Sequence, residues 1–273
     1  MSLRQQSSDR LLTFEGVGLH SGSACAVTIR RLERGRGIHF ERRDGAGDAI
    51  AATVSAVRPA ARHTVLAGQD GEATVATTEH LLAALAGLGH WDALIEVTGP
   101  EIPILDGSAL PFARALGAWK PRPLPDPVVL DRPLEVSRGS SRASAVPSQS
   151  LSVSCAVRFE HAAIGDQRAT WDGRAEGFLR EVAPARTFGF LDEVDELRRR
   201  GLAAGGSLDN ALVYGPEGPL NSPRFADEPV RHKLLDAIGD LALLGRPLQA
   251  AVRFERPGHA LVVELVRAIV DSL

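Results

Sequence analysis

Two stretches, Ala24 to Ile29 and Leu151 to Val157, alternate apolar with small or polar residues, the period-two pattern of antiparallel strands that bury one face. Elsewhere the period lengthens. Thr78 can cap a helix through Glu79, His80 and the apolar run Leu81 to Ala86, which Gly87 and Gly89 end. A strand from Ala93 to Val97 and a helix beginning near Ser108 follow. The same order returns later in the chain: a helix from Val230 to Leu244, a strand from Gln249 to Phe254 and a helix from Gly258 to Val270. Between the two series lies Lys-Pro-Arg-Pro-Leu-Pro-Asp-Pro at residues 120 to 127, where each proline fixes φ and removes a donor, breaking helix and sheet alike. The pattern predicts an α+β chain of two units, residues 1–122 and 123–273, each a sheet covered by helices. It leaves open whether the units are duplicates or merely share a common element order.

Within the helix at 230 to 244 the geometry can be worked out. At about 100° per residue, Leu234, Leu235, Ile238, Leu241 and Ala242 share one face, and His232, Asp236 and Asp240 form a stripe opposite. Such a stripe is either a solvated face or a set of ligands, because a histidine and an aspartate one turn apart can reach one metal ion.

Composition narrows the function classes. The 273 residues are 44% hydrophobic and 24% charged with a formal net charge of −3, enough apolar material for a core and no overall pull toward nucleic acid. Cys25 and Cys155 have no CxxC spacing, which suits a reducing compartment and argues against thiolate metal ligation. The opening Met-Ser-Leu-Arg-Gln-Gln lacks an apolar signal core, and no apolar run is long enough to span a bilayer. The expectation is a cytoplasmic protein with a small-molecule partner and no membrane span. Lysine occurs only at Lys120 and Lys233, every other basic residue being arginine, so Lys233, next to His232, hints at a need for a compact ammonium.

Other candidate groups carry less on their own. Glu79 and His80 open a helix without a His-Glu-x-x-His motif, so a zincin arrangement is excluded; their adjacency could set a carboxylate beside a metal-held water, or Glu79 could simply be an acidic residue favoured in a first turn. His259, after Pro257 and Gly258, is an ordinary helix-start histidine. The loops Gly16 to Gly22 and Glu101 to Ser108 are suggestive but contain no GxGxxG opening a helix, so no Rossmann domain is inferred.

Together Gly16 to Gly22, Thr78 to Gly89, Pro100 to Phe112, Ala185 to Phe190, Gly201 to Asp209, Val230 to Gly245 and Gly258 to Leu261 resemble, in order and over nearly the whole chain, the UDP-3-O-acyl-N-acetylglucosamine deacetylases of Gram-negative bacteria. The resemblance implies two similar two-layer α/β sandwich domains, each with a small insert, packed around an active site. It implies one catalytic Zn²⁺ held by His80, His232 and Asp236, with Glu79 as general base and His259 as general acid. Asp240 would orient His259, and Thr187 and Lys233 would steady the oxyanion or nearby substrate charge. The substrate would be a UDP-sugar carrying a fatty acyl chain, handled by a monomer in lipid A synthesis. Leu19 and Phe188 would contact it, Phe159 would stack on uracil, and an insert from Leu191 to Val213 would form an apolar acyl passage lined by Val194, Ala203, Gly206, Ala211 and Val213. Arg158, where some relatives carry an acid, and Val262 and Val263, where the family often has polar residues, depart from the pattern. The competing readings are a zinc amidase acting on another acylated amino sugar and a non-catalytic relative that binds nucleotide or lipid.

Overall fold

A computed structural model describes residues 11–45 and 48–273; the opening hexapeptide considered above lies outside the described residues. The first half contains β1 (Leu12–Val17), β2 (Ala24–Arg31), β3 (Ile38–Arg42), β4 (Ile50–Ala51), β5 (Val57–Arg58), β6 (Val65–Ala67), β7 (Thr74–Ala76), α1 (Glu79–Gly87), β8 (Ala93–Thr98) and α2 (Leu110–Leu116). Then come β9 (Val128–Val129), β10 (Leu134–Arg138), β11 (Ser141–Pro147), β12 (Ser152–Arg158), β13 (Asp166–Trp171), α3 (Ala175–Gly177), β14 (Phe188–Phe190), α4 (Val194–Arg199), β15 (Leu212–Gly215), β16 (Gly218–Pro219), α5 (Glu228–Leu241), β17 (Leu248–Glu255) and α6 (His259–Val270). The chain is α+β, and residues 120 to 127 carry neither helix nor strand.

The larger sheets run β1-β2-β8-β3-β4 and β10-β11-β17-β12-β13, with β9 added beside β17. In the first, only β3 and β8 pair in parallel; along the path of the second, only β12 and β17 do. Alternation fixes which face is covered: Cys25, Val27 and Ile29 of β2, and Val153, Cys155 and Val157 of β12, are buried. Small three-stranded sheets, β5-β6-β7 and β14-β15-β16, complete the strands.

One contiguous core passes from Leu81, Leu82 and Leu85 of α1 through Leu234, Leu235 and Ile238 of α5 to Leu261 and Leu265 of α6, each fully buried leucine contributing about 1.5–3 kcal/mol. Where α1 meets α5 a side chain has no room, since a Cβ on Gly239 would lie 2.0 Å from the Glu79 carbonyl oxygen. Val262 and Val263 are buried in this core, so their apolar character serves packing.

Two local expectations change. The stripe His232, Asp236, Asp240 is buried, which removes the solvated-face reading: α5 packs against α1, α6, β12 and β13. Thr78 does precede α1, but with helical φ −81° and ψ −19° and no capping bond from its side chain; its hydroxyl is buried without a partner. The chain turns into α1 one residue earlier, at Thr77, whose φ is +56°.

Candidate active site

The first turn of α1 delivers Glu79 and His80, both buried. From α5, one turn apart, come His232 and Asp236. The Nδ1 of His232 lies 3.1 Å from the Ala185 carbonyl, which can only accept, so Nδ1 donates and Nε2 presents a lone pair. That Nε2 is 3.3 Å from Asp236 Oδ1, and the Nε2 of His80 is 3.6 Å from the same oxygen. One ligand atom from each of His80, His232 and Asp236 falls within a 4.8 Å group. Burial drives the His232 pKa down to about 4 although Asp236 opposes it, leaving a neutral imidazole. Burial disfavours the Asp236 carboxylate, yet the Lys233 ammonium beside it holds its pKa well below the usual value. Two histidines and a carboxylate, buried and converging, fit a three-ligand divalent metal site with an open position. Lys233 Nζ donates to Asp236 Oδ2 at 2.8 Å, which leaves Oδ1 facing the two imidazoles.

Beside this cluster stand His259 and Glu79. His259 Nδ1 lies 2.7 Å from Asp240 Oδ2, and its Nε2 is 3.9 Å from Glu79 Oε1. Burial opposes a charge on His259, but Asp240 and Glu79 outweigh it and raise the pKa to about 9, so the ring is cationic at neutral pH. Glu79 is shifted upward, chiefly by burial. Thr64, which nothing in its sequence context marks, ties the two together: its hydroxyl donates to Asp240 Oδ1 at 2.6 Å and its backbone N–H to Glu79 Oε2 at 3.1 Å.

A cavity of about 760 Å³ gathers Glu79, His80, His232, Lys233, Asp236 and His259 with Leu19, Phe159, Thr187 and Phe188, and continues along Val194, Ala203, Gly206, Ala211 and Val213. Asp240 is absent from its lining and sits behind His259. Another cavity, of about 850 Å³, lies at the far ends of α1 and α5 and contains none of these groups. Phe159 packs edge-on against Phe188, with centroids 5.5 Å apart. Arg158 is three-quarters exposed and pairs with Asp166 at 3.5 Å. His63 escapes sequence reading, and His20 enters it only as part of the Gly16 to Gly22 loop; their rings stack with centroids 4.3 Å apart, and burial lowers the His20 pKa to about 4.

The strand-leading segment Ala185 to Thr187 is clamped from both sides. Glu228, at the start of α5, accepts from the backbone N–H and Nε of Arg186 at 3.0 and 2.9 Å, and Thr187 N–H donates to the Gly107 carbonyl at 2.7 Å. The clamp fixes the Ala185 carbonyl that sets the His232 tautomer.

A family model described as UDP-3-O-acyl N-acetylglycosamine deacetylase matches residues 5–271. Proteins named UDP-3-O-acyl-N-acetylglucosamine deacetylase are similar along nearly the whole chain: that of Myxococcus xanthus is 42% identical, covering 99% of this chain and 88% of the relative. Those of Synechocystis and Thermosynechococcus vestitus are each 44% identical, covering 96% and 95% of this chain and 96% and 91% of the relatives.

Proposed function

The chain belongs to the UDP-3-O-acyl-N-acetylglucosamine deacetylase family, and from that premise we propose which of its residues perform the chemistry. It is a deacetylase, an amide hydrolase of lipid A biosynthesis that releases acetate from UDP-3-O-acyl-N-acetylglucosamine. The metal is zinc, held by His80, His232 and Asp236; when bound it supplies Lewis acidity at the amide carbonyl and eases ionisation of the attacking water. Glu79, raised in pKa and 3.9 Å from His259 Nε2, takes the proton of that water as its oxygen attacks the acetamide carbon. The Thr187 hydroxyl, on the cavity wall, donates to the charge developing on the amide oxygen, where one placed donor is worth about 3–4 kcal/mol. Lys233 holds Asp236 and adds positive potential. His259, charged through Asp240, gives its Nε2 proton to nitrogen as the C–N bond breaks, leaving acetate and a free amine.

The single observation that carries this reading is the convergence of the buried three-ligand cluster and the Glu79–His259 pair in one cavity that opens into an apolar passage. Val194, Ala203, Gly206, Ala211 and Val213 take the fatty acyl chain there, with Leu19 beside Gly206, at about 0.8 kcal/mol per buried CH₂, while Phe188 contacts the substrate nearer the amide and Phe159 stacks on uracil. Residues 1–122 and 123–273 are two duplicated α/β sandwiches, a reading supported by their matching strand orders and pairing senses. The protein works as a monomer in the cytoplasm, a compartment that suits its two free, buried cysteines; among the described residues no helix is long and apolar enough to cross a membrane.

The test is acetate release by the purified protein from UDP-3-O-acyl-N-acetylglucosamine. Release abolished by chelator and restored by zinc is expected. A folded, zinc-loaded protein inert across several acyl lengths would turn the reading toward another acylated amino sugar.

A further inference from the structure

Glu101 is 1% exposed and touches none of the reacting groups, yet it gathers donors from two separate parts of the site. From the loop after β1 it accepts the backbone N–H of His20 at 3.1 Å, the N–H of Ser21 at 2.7 Å and the Ser21 hydroxyl at 2.6 Å. From the entry to α1 it accepts the Thr77 hydroxyl at 2.6 Å, holding the residue whose left-handed φ of +56° aims Glu79 and His80. Among the described residues no other side chain links these two segments in this way. All these donors are neutral, and although burial opposes the charge, the Ser21 and Thr77 hydroxyls keep the carboxyl below its usual range. The fit is close, since a Cβ on Gly18 would lie 2.0 Å from Glu101 Oε1.

The loop pinned on one side of Glu101 is itself a wall of the apolar passage. Ala204 N–H donates to the His20 carbonyl at 3.1 Å and Gly205 N–H to the Leu19 carbonyl at 3.0 Å, so residues 19 and 20 are zipped to the segment that carries Ala203 and Gly206. We propose that Glu101 is a positioning residue that joins the passage wall to the first turn of α1, so that a long acyl chain seated between Leu19 and Ala203 fixes the placement of Glu79 and His80 over the amide. The inference rests on the substrate reading above. It makes the preference for a long over a short acyl chain depend on a residue that contacts neither chain nor amide.

The measurement compares zinc-loaded wild type with Glu101→Gln, Ser21→Ala and Thr77→Val on dodecanoyl and butanoyl forms of the substrate, with calorimetric binding of dodecanoic acid as a readout independent of turnover. Glu101→Gln keeps the volume but turns an amide N–H₂ toward donors; it should lower kcat/KM for the long-chain substrate about tenfold or more and the short-chain value much less, and weaken dodecanoic acid binding. Ser21→Ala, which removes the hydroxyl bond on the passage side, should lower kcat for the long chain toward the short-chain value and leave the short-chain value nearly unchanged. Thr77→Val, which cuts only the helix side, should lower kcat for both lengths alike. A long-to-short ratio and a dodecanoic acid affinity unchanged in both Glu101→Gln and Ser21→Ala overturn the proposal. If Glu101→Gln does not fold, the Ser21→Ala and Thr77→Val split decides. Wild type that turns over neither substrate defeats the substrate reading instead, and fatty acid binding then decides the role of Glu101.

Discussion

α1 and α5 each begin with a buried glutamate, Glu79 and Glu228, at the helix position where the dipole favours a negative charge. Their fates are opposite. Glu228 is ringed by Arg186, through its backbone N–H, Nε and Nη2, and by the Arg224 N–H; burial opposes its charge, but these partners hold its pKa below the usual range. Glu79 has one backbone donor, from Thr64, and no arginine, so burial dominates and its pKa rises. Residue type, helix position and burial are shared. What separates an anchor from a group that can take up a proton is the second partner, supplied by a distant segment.

Removing the anchor should have the largest effect. Glu228→Ala leaves the Arg186 guanidinium buried and uncompensated, and loss of one member of a buried pair costs about 3–5 kcal/mol, to be read as a fall in the denaturant midpoint of unfolding. Stability unchanged in that variant would erase the contrast between the two glutamates. Glu79→Ala should do the reverse: a protein that stays folded and keeps its zinc, measured by metal content, while the rate falls about a hundredfold or more. Turnover near wild type would take Glu79 out of the chemistry.

The contrast is sharpened where the helices cross. Gly239→Ala drives a methyl group into the Glu79 carbonyl, a backbone atom that cannot swing aside, and overpacking of this kind costs about 1–3 kcal/mol; thermal unfolding and turnover should fall together, because the clash falls on the peptide that bears Glu79. Lys233→Arg keeps the charge but replaces a compact ammonium with a planar fork beside Asp236. A loss of about tenfold in kcat, roughly 1.4 kcal/mol of barrier, is expected with zinc content intact; full activity would make the scarce lysine incidental.

How far such contrasts can be read from sequence depends on distance along the chain. The period-two and helical patterns place β2, β12, α1, α5, β17 and α6 close to their observed bounds, because alternation and turn residues are local. The apolar face of α5 is equally legible, but the burial of its polar stripe is not, since that depends on α1 and α6 closing over His232 and Asp240. Spacing and adjacency offer His80 and Asp236 as candidates, but only the resemblance separates them, and His259, from ordinary helix positions. Thr64 and the Arg186–Glu228 pair escape entirely, and Glu101 shows only as the first residue of a suggestive loop. Each acts on a partner far away, Thr64 on Asp240 and Arg186 on Glu228, and a threonine in a loop or a glutamate opening a helix carries no local sign of it.

The smallest effect, and the one that isolates a single glutamate, is in acid. Glu228 has a lower pKa folded than the 4.5 of an unperturbed carboxyl, so above about pH 4.5 its ionised form contributes its full stabilisation, and as pH falls toward the folded value the native state must take up a proton it binds weakly and that contribution is lost. Glutamine at the same position cannot titrate. Other groups, the metal ligands among them, also respond to acid, but they do so in wild type and in Glu228→Gln alike and cancel in the difference. The stability gap between the two zinc-free proteins should therefore be widest near about pH 5.5 and narrow toward about pH 3, by no more than about 1.4 kcal/mol per pH unit for one proton. Denaturant unfolding at each pH measures it. A gap that stays constant would mean that the Arg186 and Arg224 donors bind Glu228 by shape alone, and that its ionisation, unlike its position, plays no part in holding the Ala185 to Thr187 segment against the site.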